Sequence, residues 1–206
     1  MRTFVLTLVI LTFLALQPAA VGAQAPNPDA EFMREAFQGG LAEVEMGRLA
    51  ADQAASLEVK QFGQRMVTDH GAANGELAQL ASRKGVVLPT EPGPKHVATR
   101  ERLAALRGTE FDRQYMAEMI RDHQEDVAAF QREADTGHDP DVRAWAAKMV
   151  PVLREHLRLA ESVHGQVAAA QASPAATVVT TPEARPWCAG AYLPTAGTNF
   201  GICPSR

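Results

Sequence analysis

Four stretches of the chain between residues 30 and 165 repeat apolar residues at spacings of three and four, and no stretch there alternates as a strand would. That pattern leaves a helical bundle as the way to bury every apolar face at once. Asp29 is placed to cap a first helix over about 30–54, and Ser56 a second over 56–84, with Gly85 as a left-handed stop. Thr109-x-x-Asp112 has the form of a capping box for a third helix ending near Thr136-Gly137. Asp139-Pro140-Asp141 then starts a fourth that reaches about Gly165.

The stripes are Phe62, Met66, Ala73, Leu77 and Leu80 on the second helix, and Phe111, Tyr115, Met119, Val127, Phe130 and Ala134 on the third. The fourth carries Val142, Ala146, Met149, Leu153, Ala160 and Val163. The first is sparser, with Phe37, Leu41 and Val44 beside Gly40 and Gly47, whose small size allows close approach to a neighbour. Between the second and third helices, residues 86–107 hold a Pro/Gly run and a short amphipathic stretch, His96 to Leu106, expected as an extra short helix. This connection is long enough either to cross the bundle or to cap one end.

Outside the bundle, one positive charge at Arg2, an apolar run from Phe4 to Leu16 and the small residues Val21-Gly22-Ala23 read as an export signal cleaved after Ala23. Residues 24–29 are then a leader. The apolar run is too short for a permanent membrane span, and removing residues 1–23 makes the formal charge of −4 one unit more negative. A mildly acidic chain without a basic block is not expected to bind nucleic acid. Residues 166–186 have the composition of a flexible linker, and 187–206 carry both cysteines. In an oxidising compartment Cys188 and Cys203 are expected to form a disulfide that staples this tail, a candidate surface for an envelope partner. Oligomeric state is not legible here.

Three acid–histidine pairs occur, one on each of three helices: Asp69-His70, Asp122-His123 and Glu155-His156. Each His falls on an inward stripe, four residues after Met66, four after Met119 and three after Leu153. On the first helix Glu43 is the best inward carboxylate, with Glu45 as the alternative. All four positions lie near the middle of their helices, so four polar groups are expected to meet at mid-bundle.

Three imidazoles and a carboxylate suit one divalent ion such as zinc, iron or manganese. Asp69, Asp122 and Glu155 would then orient imidazoles on neighbouring helices. Met66 and Met119, one turn away, admit a softer copper ion, but core filling is their commoner use. The competing reading is a hydrogen-bonded polar layer that fixes helix register. Pro151 is expected to kink the fourth helix one turn before His156. There is no G-x-S-x-G, phosphate loop or H-E-x-x-H, which favours a binding protein over an enzyme.

The words Gly40-Leu41-Ala42-Glu43-Val44-Glu45-Met46-Gly47, Met66-Val67-Thr68-Asp69-His70, Phe111-Asp112-Arg113-Gln114-Tyr115 with Asp122-His123, and Pro151-x-x-x-x-His156 resemble a bacterial exported family. It is known as domain of unknown function 4142, and the similarity spans about residues 31–164. The resemblance implies an all-α, ferritin-like four-helix bundle and brings no settled activity; relatives are often labelled outer membrane proteins. Ferritin-like oxidases place Glu three residues before a core His, where this chain has Val67, Ile120 and Leu153. That departure argues against a dinuclear oxidase. The expected function is therefore an exported bundle holding one metal ion, in envelope stress or metal handling. The alternatives are an oxidoreductase acting on peroxide or oxygen, and a protein-interaction module.

Overall fold

The structure, a computed structural model, describes residues 27–172. The export signal, the rest of the linker, the tail and its Cys188–Cys203 pairing lie outside these residues. Five helices follow in order: α1 (Pro28–Gln53), α2 (Leu57–Lys84), α3 (Pro94–Ala104), α4 (Gly108–Thr136) and α5 (Pro140–Ala172). Four are the long helices of the bundle. α5 runs seven residues beyond the expected end at Gly165, into the stretch read as linker, because Val167 still finds a buried place in the core. Its Gln171 side chain donates to the Thr109 carbonyl at the start of α4.

α1 and α2 form one antiparallel hairpin, and α4 and α5 another. Lys84 at the end of α2 pairs with Asp139 and Asp141 at the start of α5, both at 2.7 Å. Asp112 near the start of α4 meets the start of α2, so α2 and α4 run parallel. The chain must therefore cross the full bundle between them. α3 lies on that crossover, held to α1 by Arg100–Glu45 (3.2 Å) and to α4 by Lys95–Glu125 (2.7 Å).

The ends are tied by two aspartates in roles that local sequence does not reveal. Asn27, not Asp29, caps α1, accepting from the Ala30 N–H at 3.2 Å. The Asp29 carboxylate instead accepts from the backbone N–H groups of His138 (3.0 Å) and Asp139 (2.6 Å), in the α4–α5 turn. Burial alone would raise its pKa; those donors, with His138 beside them, reverse the effect and hold it below the usual value. At the other end Asp112 does not close a capping box with Thr109. Its two oxygens accept from Ala55 N–H (2.9 Å) and Ser56 N–H (2.8 Å) in the α1–α2 turn. Each hairpin thus supplies a carboxylate that satisfies the other's turn. Ser56 caps α2, and Gly85, at φ 67°, ends it.

The stripes on α2, α4 and α5 face inward as read, but that of α1 needs correction. Its core face carries Met33, Gly40, Glu43, Met46, Gly47 and Ala50. Phe37 and Leu41 lie to one side, lining a groove with Val86 and Leu88 at the start of the crossover. The glycines decide this. A Cβ on Gly47 would stand 2.6 Å from the Gly63 carbonyl oxygen, and one on Gly63 2.7 Å from that of Gly47. α1 and α2 touch backbone to backbone there, which turns the glycine face inward.

Gly63→Ala is expected to destabilise the protein by roughly 1–2 kcal/mol, since overpacking outweighs a propensity gain of up to ~1 kcal/mol. Gly75→Ala, with nothing within 4 Å of its added Cβ, should stabilise it. Urea midpoints at constant slope measure both, and a stabilised Gly63→Ala would refute the close contact.

Candidate metal centre

The apolar core comes in two halves. One gathers Met46, Phe62, Met66, Phe111, Tyr115 and Met119 toward the α1–α2 turn; the other gathers Met33, Leu77, Phe130, Val142, Trp145 and Leu153 toward the α4–α5 turn. Between them lies a polar layer containing His70, His123 and His156, exposed by 7, 0 and 1%. The three ring centroids are 5.3–5.6 Å apart, and one nitrogen from each lies within 4.8 Å of the others. Among the described residues no other group of histidines, cysteines and acids is placed to hold a metal.

Hydrogen bonding fixes which nitrogen is free at His123 and at His156. His123 Nδ1 lies 2.9 Å from the Met119 carbonyl, one turn back on its own helix, so it donates and Nε2 keeps its lone pair. His156 Nε2 lies 2.8 Å from the Asp69 carboxylate, leaving Nδ1 free. His70 Nε2, His123 Nε2 and His156 Nδ1 are all buried without a hydrogen-bond partner.

Burial lowers the pKa of all three. It does so strongly at His70, where His123 and His156 add to it, and it brings His123 down to about 4. At His156 burial outweighs the opposing pull of Asp69. Asp69 itself is held below its usual value: burial opposes this, but the hydrogen bonds from His156 and Arg65 prevail. The triad is therefore neutral at pH 7, the state in which imidazole binds metal.

The acids divide. Asp69 on α2 orients His156 on α5, the cross-helix role expected of it. Glu155 points outward and pairs with Arg158 at 2.7 Å, so it orients no imidazole. Glu45 likewise faces out, to Arg100.

Glu43 is fully buried at the expected depth but stands on the wrong edge of His123, with Oε1 3.9 Å from Nδ1 rather than beside Nε2. Neither of its oxygens has a donor. Burial, then the negative charge of the neighbouring Asp122, pushes its pKa well up, and Asp126 and Glu118 add to this. Two carboxylates facing each other form a hydrogen bond only by sharing a proton, so Glu43 and Asp122 form an acid pair behind His123 instead of a fourth ligand and a ring-orienting group. Sequence spacing gave the depth of Glu43 and not its azimuth.

Three neighbours went unread. Tyr115, buried with its hydroxyl unpartnered, closes the layer beside Glu43, and burial followed by that charge raises its pKa. The Met119 carbonyl sets the His123 tautomer; Met119 and Met66 themselves sit in the apolar core. Asp126, four residues after Asp122, is pushed up to about 8 by burial and then by Asp122 and Glu125. An Asp-x-x-x-Asp spacing beside an inward His was the available signal. Pro151 lies within α5 on an exposed position.

The family model described as domain of unknown function (DUF4142) matches residues 15–163. The chain belongs to this family. No curated protein matches it. Among solved structures it is similar to a DUF305 fragment from Deinococcus radiodurans, at TM-score 0.61 and 20% identity over 69% of this chain and 98% of that one. A DUF305 protein from Streptomyces coelicolor gives TM-score 0.60 and 17% identity over 69% and 93%. CopM in its Cu(II)-bound form gives TM-score 0.57 and 15% identity over 67% and 96%. At such identities the likeness establishes a shared helical fold for the DUF4142 bundle. No helix among the described residues is long and apolar enough to cross a membrane.

The depressed histidine pKa values fix the sign of a pH effect in metal-free protein. Between about pH 6.5 and 4 unfolded His123 takes up a proton that the folded form refuses, so stability falls as pH falls, by roughly 3 kcal/mol at full shift. Asp126 acts with the opposite sign, stabilising at acid pH and losing that contribution as pH rises toward 8. Comparison with His123→Gln isolates the imidazole. In the presence of chelator the wild type should lose ground to the variant across pH 6.5–4, and a pH-independent gap between them would contradict the burial effect.

Proposed function

We propose that this DUF4142 protein is an exported, non-catalytic metal-binding bundle that holds one divalent ion through His70 Nε2, His123 Nε2 and His156 Nδ1. The carrying observation is a trio of imidazoles from three helices, each offering a nitrogen within 4.8 Å of the others, with one nitrogen of each ring buried and without a hydrogen-bond partner. Unpaired polar atoms in a dry layer are costly. A purely structural polar layer would bond its members to each other, and these three rings meet at distances and angles that provide no such bond. A metal ion satisfies all three lone pairs at once. Three ligands at about 2.0–2.1 Å from one ion stand about 3.4–3.6 Å apart, so a triad whose nitrogens lie within 4.8 Å of one another has to draw in by up to about 1 Å on loading.

An all-nitrogen donor set shifts the expected ion away from manganese and iron, which favour carboxylate, toward zinc and copper. The Cu(II)-bound state of CopM, a protein of similar fold, supports a metal role in this architecture, as does the Asp69–His156 pair, a common way to fix a ligating imidazole. Export rests on the N-terminal signal, and the Streptomyces neighbour is described as secreted. Metal handling in the cell envelope is the role that joins these features.

Zinc or Cu(II) should bind at one ion per chain to unchelated wild type. At a free concentration 100 times Kd it should stabilise the fold by about 2.7 kcal/mol, raising Tm by roughly 5–10 °C. His70→Ala, His123→Ala and His156→Ala should each abolish stoichiometric uptake in elemental analysis. Equal, sub-stoichiometric metal in wild type and variants would end the proposal.

Two carboxylate variants separate the roles. Asp69→Asn should weaken affinity by about 10–100-fold. Glu43→Gln should leave stoichiometry unchanged, and loss of metal there would restore the carboxylate to the ligand set.

A further inference from the structure

The centre proposed above has three donors, and among the described residues nothing stands with them as a fourth. Glu43 is turned to the Nδ1 edge of His123, across the ring from the free nitrogen. Three neutral imidazoles leave the full charge of a divalent ion uncompensated in a largely buried layer. Asp69 bonds the Nε2 edge of His156, so the ring stands between that carboxylate and the free Nδ1. A buried charge of that size calls for a counter-charge in direct contact.

The fold leaves room for one to arrive. A cleft of about 330 Å³ opens between α2 and α5 and reaches His70, His156 and Asp69 at its inner end. On the α2 side small residues, Ala72 and Ala73, keep it open. Along its lining Arg65 pairs with Asp69 at 3.2 Å and Lys148 with Glu76 at 2.7 Å, and Asp126 of α4 adds one further carboxyl. His123, on α4, is fully buried and does not line the cleft.

Resting on the metal reading, we infer that the α2/α5 cleft admits a small monodentate anion, of the halide, pseudohalide or short carboxylate class, which completes the coordination of the ion held by the histidine triad. The site is thus open to exogenous ligand from one side and closed on the Glu43 side.

The test uses the full chain loaded with Co(II), whose visible spectrum reports donor number and type, and azide as the anion. Azide should change the cobalt bands with saturation at one per metal. Ala72→Trp and Val152→Trp place bulk on exposed positions of the two rims, away from the triad. Each should slow azide association several-fold while reaching the same final spectrum. Cobalt bound one per chain with a spectrum indifferent to azide would overturn the open position and leave the metal reading standing. Unchanged association rates in both Trp variants would overturn the cleft as the route. Failure to take up cobalt at all would remove the metal reading and this inference with it.

Discussion

Everything in this bundle turns on keeping three imidazoles neutral, dry and face to face in the middle of a helical core. Desolvation does most of that work, because burial penalises the protonated form at each ring, and the mutual closeness of the rings reinforces it. The layer is shielded along the bundle axis because it is sandwiched, and it opens sideways into the α2/α5 cleft. Phe62, Tyr115 and Met119 close it on one side, and Leu77, Phe130 and Leu153 on the other. Phe62 stands edge-on to both Tyr115 and His123, with centroids 6.1 and 6.4 Å away, so apolar packing and the imidazole layer share a wall.

Convergence of single side chains from separate helices demands fixed register, since a slip of one residue moves a side chain by about 1.5 Å along the axis and 100° around it. Three devices supply that register. Asp29 and Asp112 tie each hairpin to the other's turn at opposite ends of the bundle. The Gly47–Gly63 contact pins α1 to α2 between them. The Asp69–His156 bond joins α2 to α5 at the layer itself, on the seam that elsewhere opens into the cleft. Stability and site geometry therefore depend on the same carboxylates.

What the sequence disclosed, and what it hid, follows from the range of the forces involved. Helix limits were legible because caps and stops act within one turn: Ser56, Gly85 and Pro140 stand where they were expected. The inward placement of His70, His123 and His156 was legible because strong stripes on α2, α4 and α5 fix which face is buried. α1 lacked such a stripe. Much of its core face is glycine and alanine, whose burial is a consequence of backbone contact and leaves little hydrophobic signal, so the sparse stripe named Phe37 and Leu41, of which Phe37 is only partly buried against the core and both line the groove beside the crossover. The same weakness left the azimuth of Glu43 unspecified. Asp29 and Asp112 were misread as local caps because their partners lie more than 50 residues away.

The acids also explain why this layer differs in kind from a carboxylate-rich di-iron core, the comparison that the sequence resemblance invites. Three residues before the histidines stand Val67, Ile120 and Leu153. Val67 lies against the Gly47 contact, while Ile120 and Leu153 belong to the two apolar halves. Glu there would put charge into packed seams. Of the carboxylates that reach the layer, Asp69 bonds the outer edge of His156, while Glu43 and Asp122 stand together by His123, where burial and the charge of Asp122 push the Glu43 pKa up. A bundle that keeps its buried acid there presents the centre with neutral nitrogen alone. Neutral nitrogen donors of this kind suit zinc or copper better than manganese or iron, and on the proposed reading the charge of the ion would be balanced from outside the helices.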